Sequence, residues 1–226
     1  MQDLEAEKMN AAKEAAKAVR SGMTIGIGSG STVNHFIRAL GERVKEEGLS
    51  VTCVVSSSQS RRLAEENGLR VIEDIPEKLD IDFDGADEAD LKGNLIKGGG
   101  GALTREKIVA YNSRELWVMV DSTKIKRDYL GRFPLPVEIL PFMVSRTLKN
   151  LEEAGCSCSL RGGGAYRTDN GNVIADCRFK RIDDPAALER RLKMVPGVVE
   201  VGIFTSLTSR IIEGTVDGVQ VYSIPK

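Results

Sequence analysis

The chain has 226 residues and 41% hydrophobic residues, which is enough for one large α/β domain and a small second one. Because 32 Lys and Arg balance 33 Asp and Glu, the net charge of −1 argues against a strongly basic surface for nucleic acid or for an anionic membrane. No stretch approaches the roughly 18 uninterrupted apolar residues of a membrane-spanning helix, and the charged, Ala-rich segment 1–20 does not resemble a signal peptide. We therefore expect a cytoplasmic protein that binds neither nucleic acid nor membrane.

The first two-thirds of the chain alternates strand-like and helix-like segments. Strands are predicted at 23–27, 51–55, 79–83 and 116–120, and helices at 33–45, 61–67 and 104–111. This alternation predicts a Rossmann-like parallel sheet with helices on both faces. Because such sheets bind ligands beyond the carboxyl ends of their strands, the loops that follow the strands form the candidate site.

The alternation of strand-like and helix-like segments stops after Lys124, where Gly131 and three nearby prolines interrupt it. From 137 to 204 the pattern reads strand, helix (144–153), strands near 161–166 and 173–179, helix (185–194) and strand, which is the order of a ferredoxin-like α+β domain. The tail at 210–224 predicts a hairpin around Asp217 and Gly218 that returns to the first domain. We therefore predict a catalytic domain over 1–130 and 206–226, and a ferredoxin-like lid and oligomerisation domain over 131–205.

Side chains that ligate metals are scarce in this sequence. The single histidine, His35, makes a His-based zinc site or a Ser-His-Asp triad implausible. Cys53, Cys156, Cys158 and Cys177 lie in or beside apolar runs, and we expect them to be buried thiols rather than disulfides. Cys156 and Cys158 share one strand face, but no CxxC or histidine partner follows, so we expect no metal and no cofactor.

The first motif that carries chemistry is GIGSGST, which starts at Gly26 between a predicted strand and a predicted helix. Glycines let backbone amides approach an anion, and the helix N-terminus adds partial positive charge, so the motif outlines a phosphate site. It fails as a dinucleotide fingerprint because the third glycine would fall on Ser31. The alternative is an ordinary tight turn in which Ser31 or Thr32 caps the helix.

The second motif is the acidic run DFDGADEAD, which starts at Asp82 at the end of an apolar strand. Crowded carboxylates repel one another, so we expect some of these groups to have raised pKa values and to exchange protons near neutral pH. The alternatives are a solvated acidic turn and a divalent-cation site, although the spacing is not that of an EF-hand loop.

Two further motifs place lysines beside polar loops. KGGGGALTREK starts at Lys97, and its exposed amides beside an ammonium suit a developing oxyanion, unless Thr104 only caps a helix on which Glu106 is solvated. VDSTK ends at Lys124, which can reach a phosphate as a point charge, although a lysine at a strand end is usually just solvated.

Taken together, GIGSGSTVNHFI, DFDGADEAD, KGGGGALTREK and VDSTK, in this order, resemble the ribose-5-phosphate isomerase A family across residues 8–124. The resemblance implies an enzyme of the non-oxidative pentose phosphate pathway, active as a homodimer or homotetramer. Such an enzyme interconverts D-ribose 5-phosphate and D-ribulose 5-phosphate through an enediolate without a cofactor.

The resemblance also implies the roles of individual residues. Glu106, the glutamate of TREK, is the implied proton acceptor, and we expect Lys97 to stabilise the enediolate oxygen while Asp84 or Asp87 moves hydroxyl protons. The implied substrate-binding residues are Lys8, Ser29, Gly30, Ser31, Thr32, Asp84, Gly85, Ala86, Asp87, Lys97, Gly98, Gly99, Gly100 and Lys124.

Two other functions remain open at this point. Related folds occur in regulators that sense sugar phosphates without catalysis, but these normally carry a helix-turn-helix, and no basic helical pair precedes this domain. Related folds also occur in CoA transferases, which use a glutamate as a nucleophile rather than as a base.

Overall fold

The computed structural model describes residues 3–75 and 77–225. In chain order the elements are α1 (Leu4–Ala16), β1 (Thr24–Ile27), α2 (Ser31–Glu47), β2 (Thr52–Val55), α3 (Ser58–Glu66), β3 (Arg70–Ile72), β4 (Leu79–Gly85), β5 (Glu88–Asp90), β6 (Leu95–Ile96), α4 (Leu103–Tyr111), β7 (Ser113–Asp121), β8 (Ile125–Lys126), β9 (Leu135–Ile139), α5 (Val144–Glu152), β10 (Ser157–Leu160), β11 (Val173–Arg178), α6 (Pro185–Lys193), β12 (Val198–Val201), β13 (Ile203–Phe204), β14 (Thr208–Thr215) and β15 (Gly218–Ser223). Short 3-10 helices follow β7 at Ser122–Lys124 and β10 at Arg161–Gly164. None of the helices in the two described ranges has the length and hydropathy that a bilayer crossing requires.

The chain divides into two compact units. Unit 1 comprises Met1–Ala86, Arg105–Ile125 and Leu207–Lys226, and unit 2 comprises Asp87–Thr104 and Lys126–Ser206. The sequence-based division at 130 and 205 stays a prediction, and these units differ from it chiefly because 87–104 falls in unit 2.

Unit 1 is built on a seven-stranded sheet with the order β15-β14-β7-β4-β1-β2-β3. All neighbouring strands are parallel except the final hairpin, in which β14 and β15 are antiparallel. The central strands β1, β4 and β7 are mostly buried, and helices α1 and α2 pack on one another and on this sheet. The predicted α/β class is therefore confirmed, as is the predicted hairpin of the tail.

The core of unit 1 combines aromatic stacking with a small-residue helix face. Phe36 on α2 stacks on Phe83 of β4 with ring centroids 4.6 Å apart, and Trp117 meets Phe83 edge-on. Helix α1 buries its alanines and approaches β14 so closely that a methyl group at Gly214 would overlap the backbone of Glu7. Alanines on the helix and a glycine on the strand make this approach possible.

Unit 2 contains a four-stranded antiparallel sheet with the order β10-β11-β9-β12. Its chain order, β-α-β-β-α-β through β9, α5, β10, β11, α6 and β12, is that of a ferredoxin-like unit. Leu135, Val137 and Ile139 occupy alternate positions of β9, are fully buried, and form the centre of the unit 2 core. A second ladder joins the short strands β5, β6 and β13 in antiparallel pairs.

Two local expectations for unit 2 are wrong. The strand predicted near 161–166 ends at Leu160, because Gly162 and Gly163 take left-handed conformations, with φ of 57° and 62°, that an extended strand does not allow. Cys158 and Cys177, expected as thiols, form a disulfide, because the register of β10 and β11 sets them directly opposite one another. Cys53 and Cys156 are free thiols, and burial raises the pKa of Cys53 to about 12.

Candidate active site

The carboxyl ends of four neighbouring strands form one edge of the unit 1 sheet. Strands β7, β4, β1 and β2 are adjacent and parallel, so the residues that follow them lie along the same edge. The predicted loop residues Ser29 to Thr32, the end of β4 at Asp84 and Gly85, and the 3-10 helix ending at Lys124 all lie here. The structure therefore brings together three of the four motifs at the edge where an α/β sheet binds ligands.

Three glycines, one in β1 and two in the loop that follows it, are each required for a different physical reason. A methyl group at Gly26 would overlap the side chain of Val109 on α4, and one at Gly28 would overlap the carboxylate of Asp84. Gly30 has a φ of 121°, which an L side chain rarely adopts. The loop is therefore more than an ordinary tight turn, because Gly28 makes room for the Asp84 carboxylate of the site.

We expect Gly28→Ala to displace the Asp84 carboxylate and to lower the free energy of unfolding by about 1–3 kcal/mol, the usual cost of overpacking. Gly85→Ala is the matched control, because its added methyl group meets only ordinary van der Waals contact. Denaturant unfolding of both variants measures the difference. Equal stability of the two variants would contradict the close approach of Gly28 to Asp84.

Helix α2 presents its N-terminus at this edge. Gly30 is the N-cap and offers no side-chain bond, and Ser31 and Thr32 are the first two helical residues, so the expectation that either caps the helix is wrong. The amides and hydroxyls of this first turn form a positive helix end that suits an anion.

A cluster of serines supports the loop from below. The Ser29 hydroxyl donates to Ser57 Oγ at 2.7 Å and lies 2.9 Å from Ser56 Oγ. Ser60, on α3, donates its hydroxyl to the Gly28 carbonyl at 2.7 Å. This network fixes the backbone of the loop through the segment that follows β2, and the serines there were not predicted as site residues.

Asp84 is fully buried at the end of β4 and is oriented by backbone amides. Its Oδ1 accepts a hydrogen bond from Ser29 N at 3.2 Å and from Gly85 N at 2.7 Å. Gly85 ends the strand, and Ala86 follows it half-buried. The carboxylate thus has a fixed orientation beside the glycine-rich loop, as a group that exchanges protons with a ligand requires.

Glu106 lies in the first turn of α4 and is only 3% exposed. Val109, one turn later on the same helical face, packs over Gly26 of β1. This contact directs the Glu106 face of the helix toward the sheet rather than toward water. The alternative that Glu106 is a solvated helix residue is therefore wrong.

Lys124 ends the 3-10 helix that follows β7 and is half-buried. Two carboxylates hold this segment: Asp121 accepts a hydrogen bond from the Thr123 amide at 3.1 Å, and the buried Glu7 of α1 accepts bonds from the amide and hydroxyl of Ser122 at 2.9 and 2.7 Å. The backbone that carries Lys124 is thus fixed from both sides.

Lys8 lies on α1, close to the first turns of α2. Its ammonium contacts Glu5 at 2.6 Å, and the other oxygen of Glu5 lies 3.0 Å from Nε2 of His35 on α2. Both bonds hold the pKa of Glu5 below its ordinary value. Lys8 is therefore ion-paired with a carboxylate that also links α1 to α2.

In unit 2, Lys97 is a buried cation at the start of the four-glycine loop. It is 2% exposed, its amide donates to Gly202 O at 2.8 Å, and its ammonium lies 5.5 Å from the centroid of the Phe204 ring. The aromatic face attracts the cation, which is costly to bury without interacting groups.

Asp87 contacts the same loop, since its Oδ2 accepts a hydrogen bond from Gly99 N at 2.7 Å. A methyl group at Gly99 would overlap this carboxylate, whereas Gly100 has open space around it. The amide of Gly101 donates to Gly98 O at 2.9 Å and closes the loop as a tight turn. The chain thus holds the carboxylate and the amides of the loop at fixed positions.

The carbonyls of the four-glycine loop are held by Arg161. Its Nη1 donates to Gly98 O and Gly99 O at 2.9 and 3.0 Å, and its other nitrogens bind both oxygens of Asp176. Tyr166 stacks near the guanidinium and donates its hydroxyl to Gly100 O at 3.2 Å. Because all three carbonyls are occupied from one side, the orientation of the peptide units in this loop is fixed.

We expect Arg161→Lys to lower kcat about 10- to 100-fold with little change in KM, since lysine cannot replace hydrogen bonds worth roughly 1.5–3 kcal/mol in this fork geometry. Steady-state kinetics measures this. Arg167→Lys is the matched control, because Arg167 is exposed and donates to Gly164 O and Tyr166 O rather than to the four-glycine loop. An increase in KM with unchanged kcat would show that Arg161 does not orient the reacting part of the site.

A buried carboxylate also anchors the start of α4. Glu138, fully buried on β9, accepts a 2.6 Å hydrogen bond from the Thr104 hydroxyl, and its other oxygen accepts bonds from Thr168, Asn170 and Asn172. Thr104 is already inside the helix, so its hydroxyl serves this bond instead of the predicted cap.

Two acids of the DFDGADEAD run, Glu88 and Asp90, accept hydrogen bonds from groups of unit 2. Glu88 is buried and accepts hydrogen bonds from the amides of Gly131 and Phe133, both at 2.7 Å. Asp90 accepts bonds from the turn that ends at Asn94. These two acids serve the backbone of unit 2, so they do not support the divalent-cation alternative.

Comparison with known proteins identifies the family. The sequence model described as Ribose 5-phosphate isomerase A (phosphoriboisomerase A) matches residues 52–218. The ribose-5-phosphate isomerase A of Thermoplasma acidophilum is 52% identical over 99% of this chain and 94% of its own length, and that of Picrophilus torridus is 52% identical over 97% and 99%. The chain belongs to the ribose 5-phosphate isomerase A family.

Solved structures of this family superimpose closely. The enzyme from Methanocaldococcus jannaschii gives a TM-score of 0.92 at 42% identity, covering 97% of this chain and 99% of that one. A D-ribose-5-phosphate isomerase in complex with phospho-erythronic acid gives 0.93 at 39% identity, covering 98% and 99%. The family resemblance and the isomerase class inferred from the motifs are confirmed.

Besides the serines, sequence reasoning missed three residues that support the candidate site: Glu7, Glu138 and Arg161. Glu138 had a detectable signal, because it is a single charged residue within the apolar run LPVEIL. Glu7 falls on the alanine face of α1, four residues before Ala11, which also marks it as buried. Arg161 carries no such signal, since its contacts join segments more than sixty residues apart.

Proposed function

We propose that this chain interconverts D-ribose 5-phosphate and D-ribulose 5-phosphate by moving a proton between adjacent carbons through an enediolate. The observation that carries the proposal is similarity along nearly the full chain to proteins named ribose-5-phosphate isomerase A. A family structure that contains phospho-erythronic acid, a phosphorylated sugar acid, supports this ligand class.

In this proposal Glu106 is the base that takes the proton from the carbon beside the carbonyl and returns it to the neighbouring carbon. Its burial supports the role, because proton transfer of this kind takes place in a site from which water is largely excluded. General-base catalysis of this kind contributes typically about 10²- to 10⁴-fold to the rate.

Lys97 and the amides of Gly98, Gly99 and Gly100 would stabilise the negative oxygen of the enediolate. A buried ammonium and fixed amides need little reorganisation as charge develops, which is why such groups often provide the largest part of catalysis. The bonds of Arg161 to the loop carbonyls support this assignment, since they fix the peptide units that carry the amides.

We assign Asp84 and Asp87 to the hydroxyl protons of the sugar, including those moved in ring opening. Each carboxylate is oriented by a backbone amide of a glycine-rich segment, Asp84 by Ser29 N and Asp87 by Gly99 N. Which of the two serves which oxygen stays a prediction.

The phosphate would bind at the N-terminus of α2, to the amides and hydroxyls of Ser29, Gly30, Ser31 and Thr32. Lys124 and Lys8 would supply the positive charge. Because the phosphate does not react, its binding energy orients the reacting carbons.

The experiment that tests the function is conversion of ribose 5-phosphate to ribulose 5-phosphate by the purified chain in excess EDTA. We expect the rate of turnover to be the same with and without the chelator. We also expect kcat/KM to be much lower for unphosphorylated ribose than for ribose 5-phosphate. Binding of the sugar phosphate without conversion would favour the sensor alternative, and a glutamyl-CoA adduct would favour the transferase alternative.

We also propose that the chain assembles as a homodimer or homotetramer. Unit 2 exposes Phe142, Met143 and Met194 to 74%, 63% and 81%, and the adjoining Leu140 amide bonds to Gly197 O, so these apolar side chains belong to neighbouring segments. Light scattering of the native chain and of Phe142→Ser tests this assembly. Residence in the cytoplasm stays a prediction.

A further inference from the structure

A group of three cysteines in unit 2 takes no part in the proposed chemistry. Cys158 and Cys177 are directly paired on β10 and β11, and Cys156 precedes Cys158 by two residues. The sulfur of Cys156 lies 3.6 Å from that of Cys158, and all three sulfurs lie within 4.8 Å of one another. Within the described residues, this is the one set of three or more metal-ligating side chains that converges in this way.

The spacing of the Cys156 and Cys158 sulfurs fits two ligands of one bound cation. Thiolate ligands about 2.3 Å from a metal are separated from each other by about 3.8–4.0 Å, whether the site is tetrahedral or trigonal. The distance between Cys156 and Cys158 is already close to this value. Thiolates select soft cations over the hard cations that carboxylates bind.

We propose that the reduced chain binds one thiophilic cation of the Zn²⁺, Cd²⁺ or Cu⁺ class through Cys156, Cys158 and Cys177. The sequence alone argued against a metal site, because no CxxC motif and no histidine partner follows Cys156 and Cys158. The third ligand comes from β11, and only the strand register places it beside them.

The surroundings of the cluster favour a cation and leave a path to it. Cys177 is fully buried while Cys156 and Cys158 are half-buried, so the group opens to solvent on one side. Glu152, at the end of α5, accepts a hydrogen bond from the Cys158 amide at 3.1 Å and brings negative charge.

The disulfide and the cation exclude one another. Cys158 and Cys177 each contribute a sulfur to the bond, and a bonded pair cannot supply two thiolates. A phosphine reductant supplies two electrons, and with two protons from water the bond becomes two thiols. The same residues therefore form either a cross-strand bridge or a cation site, depending on their oxidation state.

The test is anaerobic titration of the phosphine-reduced, full-length chain with Cd²⁺. Binding is monitored through the ultraviolet charge-transfer absorbance of cadmium thiolates. We expect one Cd²⁺ per chain. Cys156→Ser should weaken binding by at least the roughly 10- to 100-fold that loss of even an outer-shell partner causes. The matched control Cys53→Ala, which changes a buried thiol of unit 1, should bind as the native chain does.

The oxidised native chain is a second control and should bind no Cd²⁺, which keeps the proposal testable if a variant folds poorly. Less than one Cd²⁺ per reduced native chain, or equal affinity in Cys156→Ser and the native chain, would overturn the proposal. Either result leaves the proposed isomerase activity untouched, because none of the three cysteines is assigned to the reaction.

Discussion

Glu106→Gln is expected to lower kcat about 10²- to 10⁴-fold while the affinity for ribose 5-phosphate stays close to native. Glutamine keeps the shape of the buried side chain in the first turn of α4 but cannot accept a proton from carbon. The phosphate-binding residues of the proposal are unchanged, so the ground-state complex should persist. Steady-state kinetics and direct binding by calorimetry together separate the two effects.

Glu46→Gln is the control for this experiment, because it makes the same chemical change on an exposed face of α2. Native activity in that variant shows that loss of one carboxylate charge is not enough to explain the result. Full activity of Glu106→Gln would instead move the base to Asp84 or Asp87.

Lys97→Met is expected to lower kcat about 10²- to 10³-fold, the usual effect of removing one group that stabilises an oxyanion. Methionine is close to lysine in length and fills the same buried space beside Phe204. Steady-state kinetics measures this loss, and denaturant unfolding of the same preparation establishes that the variant is folded.

Two lysine variants separate catalysis from binding. Lys92→Met changes an exposed turn of unit 2 and should leave kcat and KM native. Lys124→Met should raise KM more than it lowers kcat, because a phosphate contact is the same in the ground state and the transition state. If Lys97→Met changed only KM, the oxyanion role of Lys97 would be wrong.

Long elements were predictable from the sequence because their patterns are strong. The predicted helix at 33–45 is α2, Ser31–Glu47, and the predicted strand at 116–120 is the centre of β7. The strands β5, β6 and β13 have two or three residues each, which is too short for any periodicity to show. Their position depends on pairing with distant segments rather than on local preference.

The parts of the candidate site that consist of consecutive residues were predictable from the sequence. Ser29 to Thr32 needed only the order of strand, glycines and helix. The burial of Glu106 was not predictable, because α4 shows little amphipathic pattern and the contact of Val109 with Gly26 hides its inner face. The disulfide was missed for a similar reason, since strand register decides which cysteines face each other.

The order in which the chain builds unit 1 has a consequence for synthesis on the ribosome. Strand β14, Thr208–Thr215, lies between β7 and β15, and α1 packs against it. Unit 1 therefore cannot complete its sheet until residues 207–226 have emerged, whereas the four-stranded sheet of unit 2 ends at Val201. The nascent protein therefore carries β7 with an unpaired edge from the synthesis of Asp121 until β14 has emerged, and such edges invite pairing with other chains. A truncated product that lacks the last twenty residues should accumulate in aggregates rather than as a smaller folded enzyme.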